Sequence, residues 1–251
     1  MTHLYLFPRP ILFAHRGASA SAPENTLAAF RLAVRQGAPA IELDVKLSAD
    51  GQVMVFHDPT VNRTTDGTGF VHRLPLAELR ELDAGGKFDP RFRGEGIPTL
   101  TEVFEEVGHD IFINVELTNY VTPLDSLVDM TTQIVRYMGM ENQVLFSSFL
   151  ANNLFRARKF LPEVPAAILF GEGMANRRIP AWLGRRAAPR IAHPHYTDAT
   201  AEYIQKAHAM NRRVHVWTVN DPDEMRRLFA LDVDGIFVDD PQLALRILEE
   251  R

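Results

Sequence analysis

The chain has no cysteine. Disulfides, thiolate metal sites and a cysteine nucleophile are therefore excluded, and any metal must be held by oxygen and nitrogen atoms. Lysine is scarce: of 27 basic residues only Lys46, Lys87, Lys159 and Lys206 are lysines. No basic run would track a nucleic-acid backbone and the formal net charge is −5, so nucleic acid is not an expected partner. Long apolar runs are missing as well. No stretch approaches the roughly 20 apolar residues that span a bilayer. Residues 1–8 lack the apolar segment and cleavage site of a signal peptide. These absences point to a cytoplasmic protein without stable membrane anchoring.

What is present is ordinary for a folded domain. With 46% hydrophobic and 24% charged residues over 251 positions, the chain can bury a full core, and no composition shift marks a boundary. One domain over residues 1–251 is expected.

Apolar runs alternate with helical patterns. Ile11 to Ala14 reads as a buried strand ending at His15-Arg16-Gly17. Asn25 reads as the N-cap of a helix carrying Leu27, Phe30 and Val34, stopped at Gly37. From Ala40 to Leu47 the pattern alternates, with Ile41, Leu43 and Val45 on one face and Glu42, Asp44 and Lys46 on the other. Asp50-Gly51 turns into a short strand, Val53 to Phe56, that ends at His57. From about 58 to 98 the periodicity fades, apart from one helical piece near Leu76–Leu82, which suggests a functional insertion above the site.

Regular units then resume. Thr99 and Glu102 form a capping box. Strands are predicted at Ile111–Leu117, Val144–Ser148, Ala166–Phe170, Arg190–His193, Val214–Val219 and Gly235–Val238. Helices are predicted over Leu124–Tyr137, Asn152–Phe160, Ala181–Arg186 and Asp198–Met210, and after Asp221-Pro222 and Asp240-Pro241. Eight strands alternating with helices predict an α/β fold, a (β/α)8 TIM barrel with a small insertion after the second strand. A doubly wound sheet is the alternative, weakened because no Gly-x-Gly-x-x-Gly follows the first strand.

In a barrel no strand face is simply wet. Glu42 and Asp44 would point inward, where burying two like charges costs several kcal/mol unless a cation offsets them. Glu116 is placed similarly on another strand. On a half-exposed antiparallel sheet the same alternation would be routine. Three carboxylates without thiols suit a hard divalent ion, Mg²⁺ or Ca²⁺. His15 and Arg16 stand where a strand meets its following loop, the end at which barrel enzymes place their chemistry. A guanidinium binds phosphate by two parallel donors, and Gly17 lets the backbone turn tightly. His57 closes another apolar run, and imidazoles suit proton transfer to and from ester oxygens. Trp217 shares a strand face with His215 and either packs against an organic substrate or fills the core. His193 and His195 read as structural, Ser147 and Ser148 as packing or capping groups, and Asp58 as an orienting group.

Several motifs taken in series resemble one family. His15-Arg16-Gly17, Pro23-Glu24-Asn25-Thr26, Glu42-Leu43-Asp44-Val45, His57-Asp58 and the run Arg63 to Gly69 are similar to motifs of the glycerophosphodiester phosphodiesterases. So are Val115-Glu116-Leu117, Ser147-Ser148-Phe149, Val216 to Asn220 and Asp234-Gly235-Ile236, and the match runs from about residue 11 to 248. The resemblance implies a divalent metal on Glu42, Asp44 and Glu116, His15 and His57 as general acid and base, and Arg16 on the phosphate. It also implies a small glycerophosphodiester substrate, attacked at phosphorus by its own glycerol 2-hydroxyl, with water then opening the cyclic phosphate to sn-glycerol 3-phosphate. Which histidine acts first as acid stays open.

One position departs from the family pattern. The family often carries a lysine two residues after the third acid, where this chain has Thr118, so another cation substitutes or substrate affinity or preference differs. Two neighbouring functions stay in view. An apolar entry patch on the insertion would favour a lysophospholipase D-type activity. A non-catalytic barrel binding phosphorylated ligands fits less well with both histidines and all three acids in place. A metal aldolase would need a Schiff-base lysine or zinc histidines, and only Lys46 lies on a predicted strand.

Overall fold

The computed structural model describes residues 8–175 and 190–250, so the helix predicted over Ala181–Arg186 lies outside the described residues, as do residues 1–7. Nine strands form one sheet among the described residues. They are β1 (Ile11–His15), β2 (Ala40–Leu47), β3 (Val53–Val55), β4 (Phe112–Leu117), β5 (Val144–Ser148), β6 (Ala166–Phe170), β7 (Ile191–Pro194), β8 (Arg213–Val216) and β9 (Gly235–Val238). Eight pair in parallel in the order β1-β2-β4-β5-β6-β7-β8-β9, and β9 returns to β1 with Ile11 opposite Gly235 and Ala14 opposite Val238. The ring is closed, and the fold is a (β/α)8 barrel as expected. The remaining strand, β3, pairs antiparallel with the far half of β2, where β1 has ended.

Among the described residues the helices are α1 (Leu27–Arg35), α2 (Leu76–Leu79), α3 (Leu100–Val107), α4 (Leu127–Tyr137), α5 (Ala151–Phe160), α6 (Ala201–Ala209), α7 (Pro222–Ala230) and α8 (Pro241–Glu249); α2 belongs to the insertion and the others form the outer layer. Every residue of β2 is buried, because helices cover its outer face and the barrel encloses its inner one. Ile41, Leu43 and Val45 pack outward with Phe30, Val103 and Phe104 of the helices. Ile11, Phe13, Leu145, Ala167, Ile191 and Phe237 form the apolar floor of the interior. Phe13 alone, fully buried, contributes about 1.5–3 kcal/mol of apolar burial. None of the helices among the described residues is long and apolar enough to cross a membrane.

Helix starts follow the capping chemistry, with three shifts from expectation. The Thr99–Glu102 capping box forms in both directions, and Asp221 caps α7 ahead of Pro222. Thr26, not Asn25, caps α1: its hydroxyl accepts from the Ala29 amide at 3.3 Å, while the Asn25 side chain is drawn to Asp44. The α4 helix begins later than expected, at Leu127, because Asp125 Oδ1 accepts from the Leu127 amide and from Asn119. A 3₁₀ turn, Tyr196–Asp198, replaces the first turn predicted for α6, which Thr200 caps instead. Strand β8 ends at Val216, short of Val219, and Trp217 continues only as a single bridge to His195.

Between β3 and α3 the insertion builds a small core of its own from Phe56, Val61, Val71, Leu79, Ala84 and Ile97, with Met54 of β3. Strand register then sets the site. His15 lies opposite Glu42, Glu42 opposite Asn114, Asp44 opposite Glu116 and Glu116 opposite Ser147, with His15, Glu116 and Ser147 at or near the carboxyl ends of their strands.

Candidate active site

The period-two alternation of β2 and β4 turns Glu42, Asp44 and Glu116 into the barrel, where each offers a carboxylate oxygen within 4.8 Å of the others. Glu42 and Asp44 are almost fully buried. Burial first, then the charges of Asp44 and Glu116, pushes Glu42 well above the usual carboxylate range. Burial and then Asp44 push Glu116 up to about 8. Burial opposes the charge of Asp44 as well, but Arg16, His57 and the Asn25 amide hold it below the usual range. Two carboxyls that resist ionising beside one that does not, in an oxygen-only cluster without thiols, suit an offsetting hard cation. These three residues could hold a divalent metal.

Arg16 enters the site through a strained turn. Its φ is 55°, a conformation costly for a side-chain-bearing residue, and its amide donates to Glu42 Oε2 at 3.0 Å. Gly17 follows at φ 84°, and an added Cβ there would lie 2.7 Å from the Ala29 backbone, so only glycine fits. The Arg16 guanidinium approaches Asp44 at 3.4 Å and donates to Glu24 at 2.9 Å. Burial works against its charge, but Asp44, Glu24 and Glu42 more than offset it and raise its pKa above the ordinary value.

Both histidines are oriented by carboxylates. His15 donates from Nδ1 to Asp239 Oδ1 at 2.7 Å, which leaves Nε2 facing Glu42 at 4.0 Å. Asp239 is held in turn by Asn220, at 2.6 Å through the side chains and 2.9 Å through the Asp239 amide, and by the Ser19 hydroxyl. His57 is fixed by Asp58 at 2.6 Å, the neighbour expected to orient rather than react. Burial opposes the Asp58 charge, yet hydrogen bonds from Arg63 and His57 lower its pKa to about 2. Arg63, from the insertion, spans Asp58 and Glu24, so one chain of contacts runs from His57 to Arg16. The charges of His57 and His15 both help to keep Asp44 ionised.

Asp239 and Ser19 were not singled out from sequence, and Glu24, Arg63 and Asn220 entered only inside the motifs that carry the resemblance, with no role of their own. A signal existed for Asp239: it continues the inward alternation of Gly235 and Phe237 one step past β9. For the others only the folded geometry brings polar residues from distant loops together.

An aromatic wall flanks the mouth. Trp217 donates from Nε1 to the His193 carbonyl at 2.9 Å and stands edge-on to Phe149 and His195, with centroids 5.5 and 5.2 Å away. Tyr120 extends the wall through Phe149, and its hydroxyl donates to Glu116 Oε1 at 2.7 Å. Below the mouth, His193 and His215 share one hydrogen bond of 3.2 Å, packed against Phe13 and Phe237. Both are fully buried and the outer nitrogen of each has no partner, which fits the structural role expected for His193.

Residues 15–243 match the model of the glycerophosphoryl diester phosphodiesterase family. A glycerophosphodiester phosphodiesterase of Caldanaerobacter subterraneus subsp. tengcongensis is 35% identical over 243 residues, covering 96% of this chain and 99% of that one. Among solved structures, an Oleispira antarctica phosphodiesterase in complex with the product sn-glycerol-3-phosphate superposes with a TM-score of 0.92 at 30% identity, over 99% of this chain and 100% of that one. A glycerophosphodiester phosphodiesterase of Agrobacterium tumefaciens gives 0.81 at 32% identity, over 94% and 99%. With the family model and relatives of both kinds spanning nearly the whole barrel, this chain belongs to the glycerophosphodiester phosphodiesterase family of hydrolases.

Proposed function

We propose that the protein hydrolyses small glycerophosphodiesters to sn-glycerol 3-phosphate and an alcohol, using a divalent metal, Mg²⁺ or Ca²⁺, on Glu42, Asp44 and Glu116. The observation that carries this reading is the group of three inward carboxylates within 4.8 Å of one another, bordered by Arg16 and by two histidines that carboxylates orient. A bound divalent ion supplies positive charge beside the phosphoryl oxygens.

The chain's own residues then divide the work. Arg16, pinned by Glu24 and the Glu42–Asp44 pair, grips a phosphate oxygen and stabilises charge that develops there. Because Asp239 and Asp58 accept from the Nδ1 atoms, Nε2 is the working nitrogen of both His15 and His57. One Nε2 takes the proton of the glycerol 2-hydroxyl as it attacks phosphorus, while the other gives a proton to the departing alcohol oxygen. The roles reverse when water opens the cyclic phosphate. Trp217 gives the glycerol carbons an apolar surface.

The test is turnover of glycerophosphocholine, glycerophosphoethanolamine and a lysophospholipid, with Mg²⁺, Ca²⁺, Mn²⁺ or EDTA, for wild type and His15→Ala. Metal-dependent hydrolysis lost in EDTA and in the variant is expected. Equal, near-zero rates in every arm on folded protein would leave only a ligand-binding barrel. Preference for the lysophospholipid would move the assignment to a lysophospholipase D-type activity.

A further inference from the structure

The barrel mouth holds a second cation that the mechanism above leaves unused. Lys46 follows Asp44 on the inward face of β2, as Thr118 follows Glu116 beyond β4, one step above the facing pair Asp44 and Glu116. Its ammonium donates to the Thr118 carbonyl and to the Thr118 hydroxyl, each at 2.8 Å. That hydroxyl is itself anchored, donating to the Val45 carbonyl at 2.8 Å. The lysine is thus held in place by neutral groups.

Its surroundings are unusual for a structural lysine. The side chain is buried and, among the described residues, makes no ion pair, whereas buried lysines are ordinarily paired. An ammonium has three N–H groups, and these two contacts use two of them. The carboxylates whose charges act on it are Asp44, Glu116 and Asp58, so Lys46 lies within electrostatic reach of the acid cluster and of His57's partner. Once those acids serve a metal and an imidazole, the remaining candidate counter-ion is an anion brought in from solvent.

The geometry points to Lys46 as a binding residue for the substrate's phosphate: strand β2 delivers an ammonium over the Asp44–Glu116 pair, and the Thr118 hydroxyl serves as its bracket. This rests on the phosphodiesterase reading above. It gives the phosphate two cations from the protein, Arg16 on one loop and Lys46 on the neighbouring strand. It also explains why a neutral, short side chain stands at position 118, since a longer one would displace the ammonium.

The test uses binding of sn-glycerol 3-phosphate and of inorganic phosphate by calorimetry in the presence of metal, together with steady-state kinetics. Lys46→Gln keeps a donor for Thr118 but removes the charge, and should weaken both anions about tenfold or more, raising KM and the product inhibition constant together. Lys46→Met combined with Thr118→Lys moves the ammonium to the facing strand and should regain most of the binding that Lys46→Met loses. Unchanged anion binding in Lys46→Gln would overturn the inference for Lys46 alone, as would a Lys46→Met loss that Thr118→Lys fails to recover. Wild-type protein that binds neither anion with metal present would overturn this inference and the phosphodiesterase reading together.

Discussion

Arg63 holds Glu24 through two hydrogen bonds of 2.7 Å each, although 39 residues separate them. The other edge of the same guanidinium takes Asp58 at 2.6 and 3.1 Å. The insertion is therefore fastened to the loop after β1 by one planar fork, and that fork sets both the His57 orienter and the Arg16 anchor.

Arg63→Gln should lower kcat/KM about tenfold or more while changing global stability by under about 1 kcal/mol, because ion pairs of a half-exposed arginine contribute little to folding. Lysine should rescue poorly, since a point charge cannot span two carboxylates in the plane of a fork. Steady-state kinetics and thermal melts on Arg63→Gln and Arg63→Lys check both statements; kinetics unchanged from wild type would remove Arg63 from the site.

Asp239 has no place on the substrate in the proposed reaction, only on His15. Asp239→Asn should therefore reduce kcat roughly 10- to 100-fold, the usual loss when an orienting partner is removed, and leave KM within about twofold. A KM rise without a kcat loss would mean that Asp239 binds substrate instead.

Removal of one acid should separate metal binding from folding. Glu116→Gln replaces an acid whose ionised form burial and Asp44 disfavour with a neutral group of the same shape, so the metal-free variant should melt at or above the wild-type temperature. Saturating Mg²⁺, Ca²⁺ or Mn²⁺ should raise the wild-type Tm, by about 2.7 kcal/mol of stability at a hundred times Kd, and should raise the variant far less. Equal metal-induced shifts in the two proteins, read by scanning fluorimetry, would take Glu116 out of the metal site.

Acid should loosen the barrel core through the buried histidine pair. Burial lowers His193 to about 3, and burial, then His193, Arg213 and Arg9, keeps His215 well below the ordinary value. Both are neutral in the folded protein, while in the unfolded chain an imidazole takes a proton near about pH 6.5. Their contribution is thus complete above that pH and is lost as pH falls toward 3, by up to about 1.4 kcal/mol per pH unit for each ring. Urea denaturation at pH 7 and pH 5 should show a smaller loss for His193→Gln than for wild type. Identical losses would assign the acid sensitivity to the carboxylates instead.

The barrel and the acid cluster were legible because both are written in short periods. The alternation Glu42, Asp44, Lys46 needs only the strand repeat, and eight such runs between capped helices leave few topologies. Loop chemistry was less legible. Asn25 reads as a helix cap on residue type alone, but Thr26 beside it can cap equally well, and that frees Asn25 to turn at φ 57° and hold Asp44. The Lys46–Thr118 contact links strands 72 residues apart, and nothing in either local pattern names the other. The same holds for Arg63 and Glu24. Such pairs depend on which loops the closed ring brings over its mouth.

The seam of that ring is where β1 meets β9, so the imidazole supplied by the first strand finds its aspartate only when the last strand has docked. A chain still emerging from the ribosome, or a refolding intermediate with an open edge, carries His15 without its orienter. Recovery of full turnover during refolding is then a clock for the final strand snapping into place, and it should lag behind the appearance of helical signal.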